Sequence, residues 1–497
     1  MIAYFKGLNQ RTAMRWRNVS PSLLPFADAA SEGLSLRRLL RLSLFQVSVG
    51  MATVLMVGTL NRVMIVELGM AAWLVSLMVA LPLVAAPFRA LIGFKSDTHR
   101  SVLGWRRVPY LWSGSMLQFG GLAIMPFTLI LLSADSHVSP WIGQTFGALA
   151  FLLVGAGLQI TQTAGLALAT DLADEKTRPR VVALMYVMLL VGMLASGLLF
   201  GLLLDNFSNT RLVQVVQGSA VLTMALNLFA SWKQEPRRVG GWAPDAATPD
   251  FKTQWRALVA APGVKRFLVA TGLGSAAFSM QDIILEPYGG EILKLGVAAT
   301  TTLTAIMAFG ALCAFWIASR VLNNGFNPYR LAAIGLLIGL PAFSLVIFAE
   351  PLQSPTTFRI GTLLIGFGGG LFAVSTLISA MGLDSHLCKR DESMQFNGLA
   401  LGAWGAVQAT CSGVAIAIGG ALRDAISALA TSGALGEVLA TPAAGYSFVY
   451  HLEIVLLFLA IIAVGPLVKV GNSDAKRNDE KRSAKTGQKF GLSDLPT

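Results

Sequence analysis

Runs of about twenty apolar residues, the length a helix needs to cross a hydrocarbon core, recur twelve times between residues 42 and 468. Short connectors between them hold most of the charge. Hydrophobic residues make up 54% of the 497-residue chain and charged residues 13%. A water-soluble chain of this size cannot bury that much apolar surface, so lipid must cover part of it. Inside lipid, each backbone amide and carbonyl must be satisfied within its own segment or in a closed barrel. Runs of this length are helices, and the expected fold class is an all-α membrane protein.

The N-terminal arm and the even-numbered connectors carry the basic residues, among them Lys95, Arg100, Arg106 and Arg107, then Lys176, Arg178 and Arg180, then Lys389 and Arg390. The odd-numbered connectors hold one each at most. Positive charge collects on the cytoplasmic side of a multi-pass protein, so both termini are expected in the cytoplasm. The net charge of +12 is spread over connectors and tails rather than one continuous patch. It indicates anionic lipid headgroups as partners and no nucleic acid. The three cysteines have no CxxC or Cys/His spacing, there is no GxxxxGK[ST] loop, and no Ser/His/Asp or HExxH arrangement occurs. The chain reads as a non-enzyme with no catalytic residue.

The longest internal connector, 233–265, is rich in proline, glycine and charge and separates six runs from six. The expected organisation is a basic arm (1–41), a six-helix half (42–232), a cytoplasmic linker (233–265), a second six-helix half (266–468) and a polar tail (469–497) expected to be disordered. Within the arm, LSLRRLLRLSLF has an apolar and a basic face at helical spacing and suits an interfacial helix. Within the linker, 251–260 is either a short surface helix or plain connection.

Gly93-Phe-Lys-Ser-Asp97 followed by Gly104-Trp-Arg106-Arg107 resembles the loop between the second and third helices of major facilitator transporters. In that family the aspartate and arginines latch helices at the cytoplasmic face. Here extra residues separate Asp97 from Gly104, and Trp105 precedes the arginine pair. Arg89 lies two turns before Asp97, and Asp171 and Asp384 stand where the fourth and tenth runs end. These six, Arg89, Asp97, Arg106, Arg107, Asp171 and Asp384, are the candidate cytoplasmic latch. Two parallel six-helix repeats are the plan of major facilitator folds, so the expected architecture is a twelve-helix bundle of that kind.

Ionisable and polar groups inside spans are costly and mark candidate sites. In the seventh span Asp282 and Glu286 stand four residues apart on one helix face, about 22 Å along from Phe267, with Gln281 beside them. They are candidates to carry protons, hold a cation or grip a polar head; the plainer reading has Glu286 meeting water at the interface. Gln159 and Gln162 in the fourth span either glue helices or line a cavity. Trp404 and Gln408, one turn apart in the eleventh, suit a flat ring or ordinary packing. His451 in the twelfth is either a hydrogen-bonded residue or a ligand for the magnesium of a chlorin; no other metal site is indicated. Arg62 either snorkels to the interface or pairs with an acid on another helix.

The strings LPFADAASEGLSLRRLLRLSLFQVSVGM, GTLNRVMIVELG, PFRALIGFKSDTHRSVLGWRRVPY, TAGLALATDLA, RPRVVALMYVMLLVGM and SMQDIILEPYGGEIL resemble the PucC/LhaA family of purple phototrophic bacteria. The likeness runs from about Leu24 to the twelfth span, and the amino-terminal wording is closer to the LhaA branch. It implies an offshoot of the major facilitator fold in the bacterial inner (intracytoplasmic) membrane. The implied role is assembly of light-harvesting antenna complexes, with bacteriochlorophyll as a transient cofactor and pigment and antenna polypeptides as partners. The family supplies no settled catalytic residues, so the candidates above rest on their own chemistry. The residues alone leave a second reading: a proton-coupled transporter of a small amphiphile, with Asp282 and Glu286 as proton carriers.

Overall fold

The computed structural model describes residues 34–84, 105–132, 139–174, 177–235, 251–388 and 399–486. The described residues form helices and no strands. They are α1 (Leu36–Glu67), α2 (Ala72–Val84), α3 (Val108–Leu132), α4 (Pro140–Leu172), α5 (Arg178–Leu203), α6 (Asn209–Ser231), α7 (Phe251–Ala260), α8 (Val264–Glu291), α9 (Val297–Asn323), α10 (Pro328–Ala349), α11 (Pro355–Cys388), α12 (Leu399–Thr431) and α13 (Ala444–Thr486). Eleven are long and apolar enough to cross a membrane; α2 is a shorter apolar helix as described, and α7 lies in the connector between the sixes. This is the all-α membrane fold read from the apolar runs.

The helices pack in neighbouring pairs within each six, such as α3 with α4 and α10 with α11. Across the sixes, α2 packs on α12 and α5 on α9. Large apolar side chains point outward with nothing over them: Phe127 is 64% exposed, Leu202 77% and Ile462 66%. Water would not tolerate that surface; a bilayer covers it. The most apolar stretch of α1 is 83% buried and that of α13 only 28%, so α1 runs through the middle and α13 along the outside. Close approach inside the bundle depends on missing side chains. A Cβ at Gly366 would lie 2.0 Å from the Met307 carbonyl oxygen, so only glycine lets α11 and α9 touch there.

Two ends of the chain differ from the sequence reading. The basic amphipathic segment is the first turns of α1 rather than a separate surface helix. Its apolar face, Leu39 and Leu42, is buried against Phe45, Leu168 and Met185. Arg38 donates to the Gln234 side chain at 3.0 Å and also to its carbonyl. The apolar stripe thus finds protein to pack on. At the other end α13 continues as helix to Thr486, past the apolar run that stops near 468. Its lysines, arginines, glutamate and alanines are good helix formers, which the expectation of disorder undervalued.

Two helices lose regular geometry. α1 is π-helical over Val54–Leu60 and Val63–Glu67. α8 is α-helical to Ser279, turns 3-10 over Met280–Ile283, and resumes as α-helix over Leu285–Glu291. Such irregular stretches often mark functional positions in membrane helices. Asn61 joins them, its amide donating to the Val57 carbonyl of α1 and the Ile283 carbonyl of α8, both at 2.9 Å.

Candidate functional site

The break in α8 carries the polar groups of that span, and it decides which way each one faces. Asp282 and Glu286 do not act as a pair on one face, because the intervening 3-10 turn advances the chain by three residues per turn rather than 3.6. Glu286 turns toward α1 and α9. It is 2% exposed and accepts a hydrogen bond from the Thr304 hydroxyl at 2.6 Å. Its carboxylate fits only because residue 58 has no side chain: a Cβ there would lie 2.4 Å from Oε1. Glu286 therefore meets no water, contrary to the plainer sequence reading. Arg62 lies within electrostatic reach of it. The Arg62 guanidinium itself pairs with Glu67 on the same helix and donates to the Leu295 carbonyl at 3.3 Å. At 4% exposed it neither snorkels nor pairs with an acid on another helix.

Asp282 turns the other way. It is half-buried and lines a cavity of about 160 Å³ with Gln281, Phe278, Met307 and the α11 glycines Gly366 and Gly370. Gln281, 1% exposed, donates its amide to the Asp282 carboxylate. Behind them stands Glu453 of α13, fully buried, facing Asp282 and the Gln281 backbone. The sequence reading gave Glu453 no role. Its signal was there: one acid inside the apolar string HLEIVLLFLAII.

At the end carrying the basic connectors, the Arg107 guanidinium meets Asp171 at 3.0 Å and Arg106 meets it at 3.8 Å. Glu235, beyond α6, accepts from the backbone amides of Arg106 (2.7 Å), Arg107 (3.0 Å) and Val108 (2.9 Å) at the start of α3. A carboxylate there satisfies amides that have no partner within the helix and meets the positive end of its dipole. These contacts tie α3, α4 and α6 together inside the first six helices rather than across the two sixes. Glu235 was overlooked because it sits in a charged linker string, where every acid looks solvated. Arg89 and Asp97 lie outside the described residues; Asp384 falls in α11, its side chain outside them.

The opposite end holds a second cluster that the sequence did not announce. Arg423 of α12 donates to Glu291 of α8, to the Tyr446 hydroxyl of α13 at 2.8 Å and to Asp424 at 2.8 Å. Tyr446 in turn donates to Glu291 at 2.7 Å. Asp424 accepts the backbone amide of Trp73 on α2 at 2.8 Å. This cluster does bridge the sixes.

The remaining candidates lie apart. Gln159 and Gln162 are half-buried on α4 and are not among the residues lining the Asp282 cavity. Trp404 is buried, its indole donating to Thr376 at 3.1 Å and its ring edge-on to Tyr186 at 6.5 Å; Gln408 is half-buried one turn on. His451 is exposed on the outer face of α13. The spacing places it in one stripe with Phe448, Val455, Phe458 and Ile462, all exposed. Its Nδ1 lies 2.7 Å from the Ser447 carbonyl oxygen. Among the described residues no group of three His, Cys, Asp or Glu side chains could hold a metal.

Residues 59–471 match the family described as PUCC protein. The chain is 50% identical over 487 residues, 98% of each chain, to an uncharacterized protein in the puhA-bchM intergenic region of Rhodobacter capsulatus. It is 53% identical over 425 residues, 84% of this chain and 92% of the relative, to protein PucC of Rhodovulum sulfidophilum. In fold it is similar to the crystal structure of a bacterial homolog to the human lysosomal transporter Spinster, in an inward-facing and unoccupied conformation. The TM-score is 0.63 at 15% identity, covering 88% of this chain and 98% of that one. That likeness shows the fold alone: the chain shares the helical-bundle architecture of that solved protein.

Proposed function

The chain belongs to the PucC family, and from that premise we propose that it is a non-enzymatic assembly factor for light-harvesting antenna complexes, presenting bacteriochlorophyll to antenna polypeptides. It does so in the bacterial inner membrane with both termini cytoplasmic. The basic connectors then meet anionic lipid on the cytoplasmic side.

The central cavity does not suit the pigment. About 160 Å³ is well below the roughly 300 Å³ at which small-molecule pockets begin. His451 does suit it, and this observation carries the reading. The Ser447 carbonyl can only accept, so the neutral ring keeps its proton on Nδ1 and leaves Nε2 as the lone-pair nitrogen. A ring nitrogen anchored to a carbonyl is the arrangement that orients an imidazole toward a metal. The apolar stripe of Phe448, Val455 and Phe458 flanks it on the lipid side. Bound there, the pigment would supply the magnesium for the histidine and a hydrophobic tail for the bilayer. The residues of α13 orient the imidazole and keep water away.

The test is an absorption spectrum of full-length protein purified in mild detergent from pigment-producing cells. Wild type is expected to carry bacteriochlorophyll and to bring antenna polypeptides with it. His451→Leu is expected to lose the pigment at unchanged thermal stability, because the side chain is exposed. Full pigment retention in His451→Leu, or none in wild type, would defeat the reading.

A second reading, a proton-coupled transporter of a small amphiphile, draws on the cavity at the α8 break and the transporter-like fold. Uptake into vesicles driven by a pH gradient and abolished in Asp282→Asn would put it ahead.

A further inference from the structure

We propose that Asp282 and Glu453 form a proton-binding pair that joins α13 to the break in α8. The observation behind it is a surplus of buried acceptors. Glu453 is 0% exposed, and neither carboxylate oxygen accepts from a side chain; among the described residues the Gln281 backbone amide is the donor turned toward it. The groups facing it are the Asp282 carboxyl and the Gln281 backbone from α8, and Tyr450 one turn earlier on α13. The Gln281 side-chain oxygen also lacks a donor, and its amide is already committed to Asp282. The Tyr450 hydroxyl is buried without a partner as well.

No lysine, arginine or histidine among the described residues pairs with either carboxyl. Arg62 is taken by Glu67, and Arg423 by Glu291 and Asp424. Two ionised carboxylates facing each other in an apolar interior, with no counterion, are strongly unfavourable. One proton resolves both deficits. It removes one charge and turns one carboxyl into a donor that the other, or the Gln281 oxygen, accepts.

The two members have different jobs. Asp282 lines the cavity and is the member with access to it; Glu453 sits behind, enclosed by protein. The proton arrives at Asp282 and is shared with Glu453. Glu286 is outside the pair, because it faces α1 and α9, where it accepts from Thr304. Without the proton, two like charges push α13 away from the α8 break, where the helix leaves regular α geometry. Nothing in this depends on a pigment.

Infrared spectra of the full-length protein in nanodiscs, in light and heavy water, test the pair. Wild type is expected to show the carbonyl stretch of a buried carboxylic acid, shifted in heavy water and lost in alkaline buffer. Glu453→Gln and Asp282→Asn are expected to remove or shift that band, and Glu286→Gln to leave it in place. Glu453→Asp keeps the carboxyl, so a displaced band in that variant supports the pair even if the amide variants unfold. A wild-type spectrum without the band at any pH, or a band that survives in both Glu453→Gln and Asp282→Asn, overturns the proposal. So does a sodium-dependent rise in melting temperature in alkaline buffer that Glu453→Gln abolishes, since the pair would then hold a metal cation. Pigment content is read separately from the visible spectrum of the same samples.

Discussion

Gly58→Ala probes the seam between α1 and α8 at one atom. A Cβ at residue 58 would stand 2.4 Å from Glu286 Oε1, where ordinary contact begins at 3.4 Å, a shortfall of 1.0 Å (3.4 − 2.4). The backbone cannot easily yield, because Asn61 ties the same stretch of α1 to the Ile283 carbonyl. Overpacking of this kind costs about 1–3 kcal/mol. If the carboxyl swings aside instead, it leaves Thr304, and a buried group left without its hydrogen bond costs about 1–3 kcal/mol. Alanine returns up to about 1 kcal/mol in helix propensity. The expected net loss is about 0.5–3 kcal/mol, read by equilibrium unfolding in mixed micelles with tryptophan fluorescence. Gly405→Ala, where a Cβ meets nothing within 4 Å, is the control and should be neutral or slightly stabilising. Combining Gly58→Ala with Thr304→Ala should cost less than the sum by about 1 kcal/mol or more, since both act on one contact. Additivity within about 0.5 kcal/mol, or a Gly58→Ala protein as stable as the control, would refute the reasoning.

Other substitutions address the two ends. Glu235→Ala removes the acceptor for three amides at the start of α3 and should cost about 1–2 kcal/mol, seen as a lower melting temperature. Arg107→Gln should leave Asp171 without its 3.0 Å partner and speed proteolysis near the basic end, while Arg107→Lys recovers only part because a lysine lacks the planar fork. Asp424→Asn should loosen the hold of α12 on the Trp73 amide, so that a cysteine placed at Ala72 reacts several-fold faster with a polar thiol reagent; an unchanged rate would mean the clamp does not control that end. Trp404→Phe should cost about 0.5–1.5 kcal/mol by losing the bond to Thr376, and should leave pigment content unchanged if Trp404 is packing rather than ligand surface.

Much of the architecture was legible before any coordinates. Each apolar run is long enough to span by itself, and its backbone must satisfy itself in lipid, so α3 to α6 and α8 to α13 follow from local composition. Arg107 and Asp171 were both legible as charged residues at the ends of spans, but that they meet each other came from the packing of α3 on α4. Misreadings arose where facing mattered. Asp282 and Glu286 share a face only on an unbroken helix, and no residue count announced the 3-10 turn between them. Glu235 looked like linker charge until α3 brought its amides to it. Arg423 looked like one basic residue in a poor connector until Glu291 and Tyr446 arrived from two other helices.

Span length, span number and the uneven distribution of basic residues are properties of single stretches of chain, and the sequence alone determines them. Which acid meets a hydroxyl, which meets another acid and which histidine nitrogen is left facing lipid depend on how helices are rotated against one another. A turn of a few tens of degrees about a helix axis moves a side chain from lipid to core without changing the hydrophobic pattern enough to notice. Only the packed bundle could put Glu453 behind Asp282 and His451 on the outside.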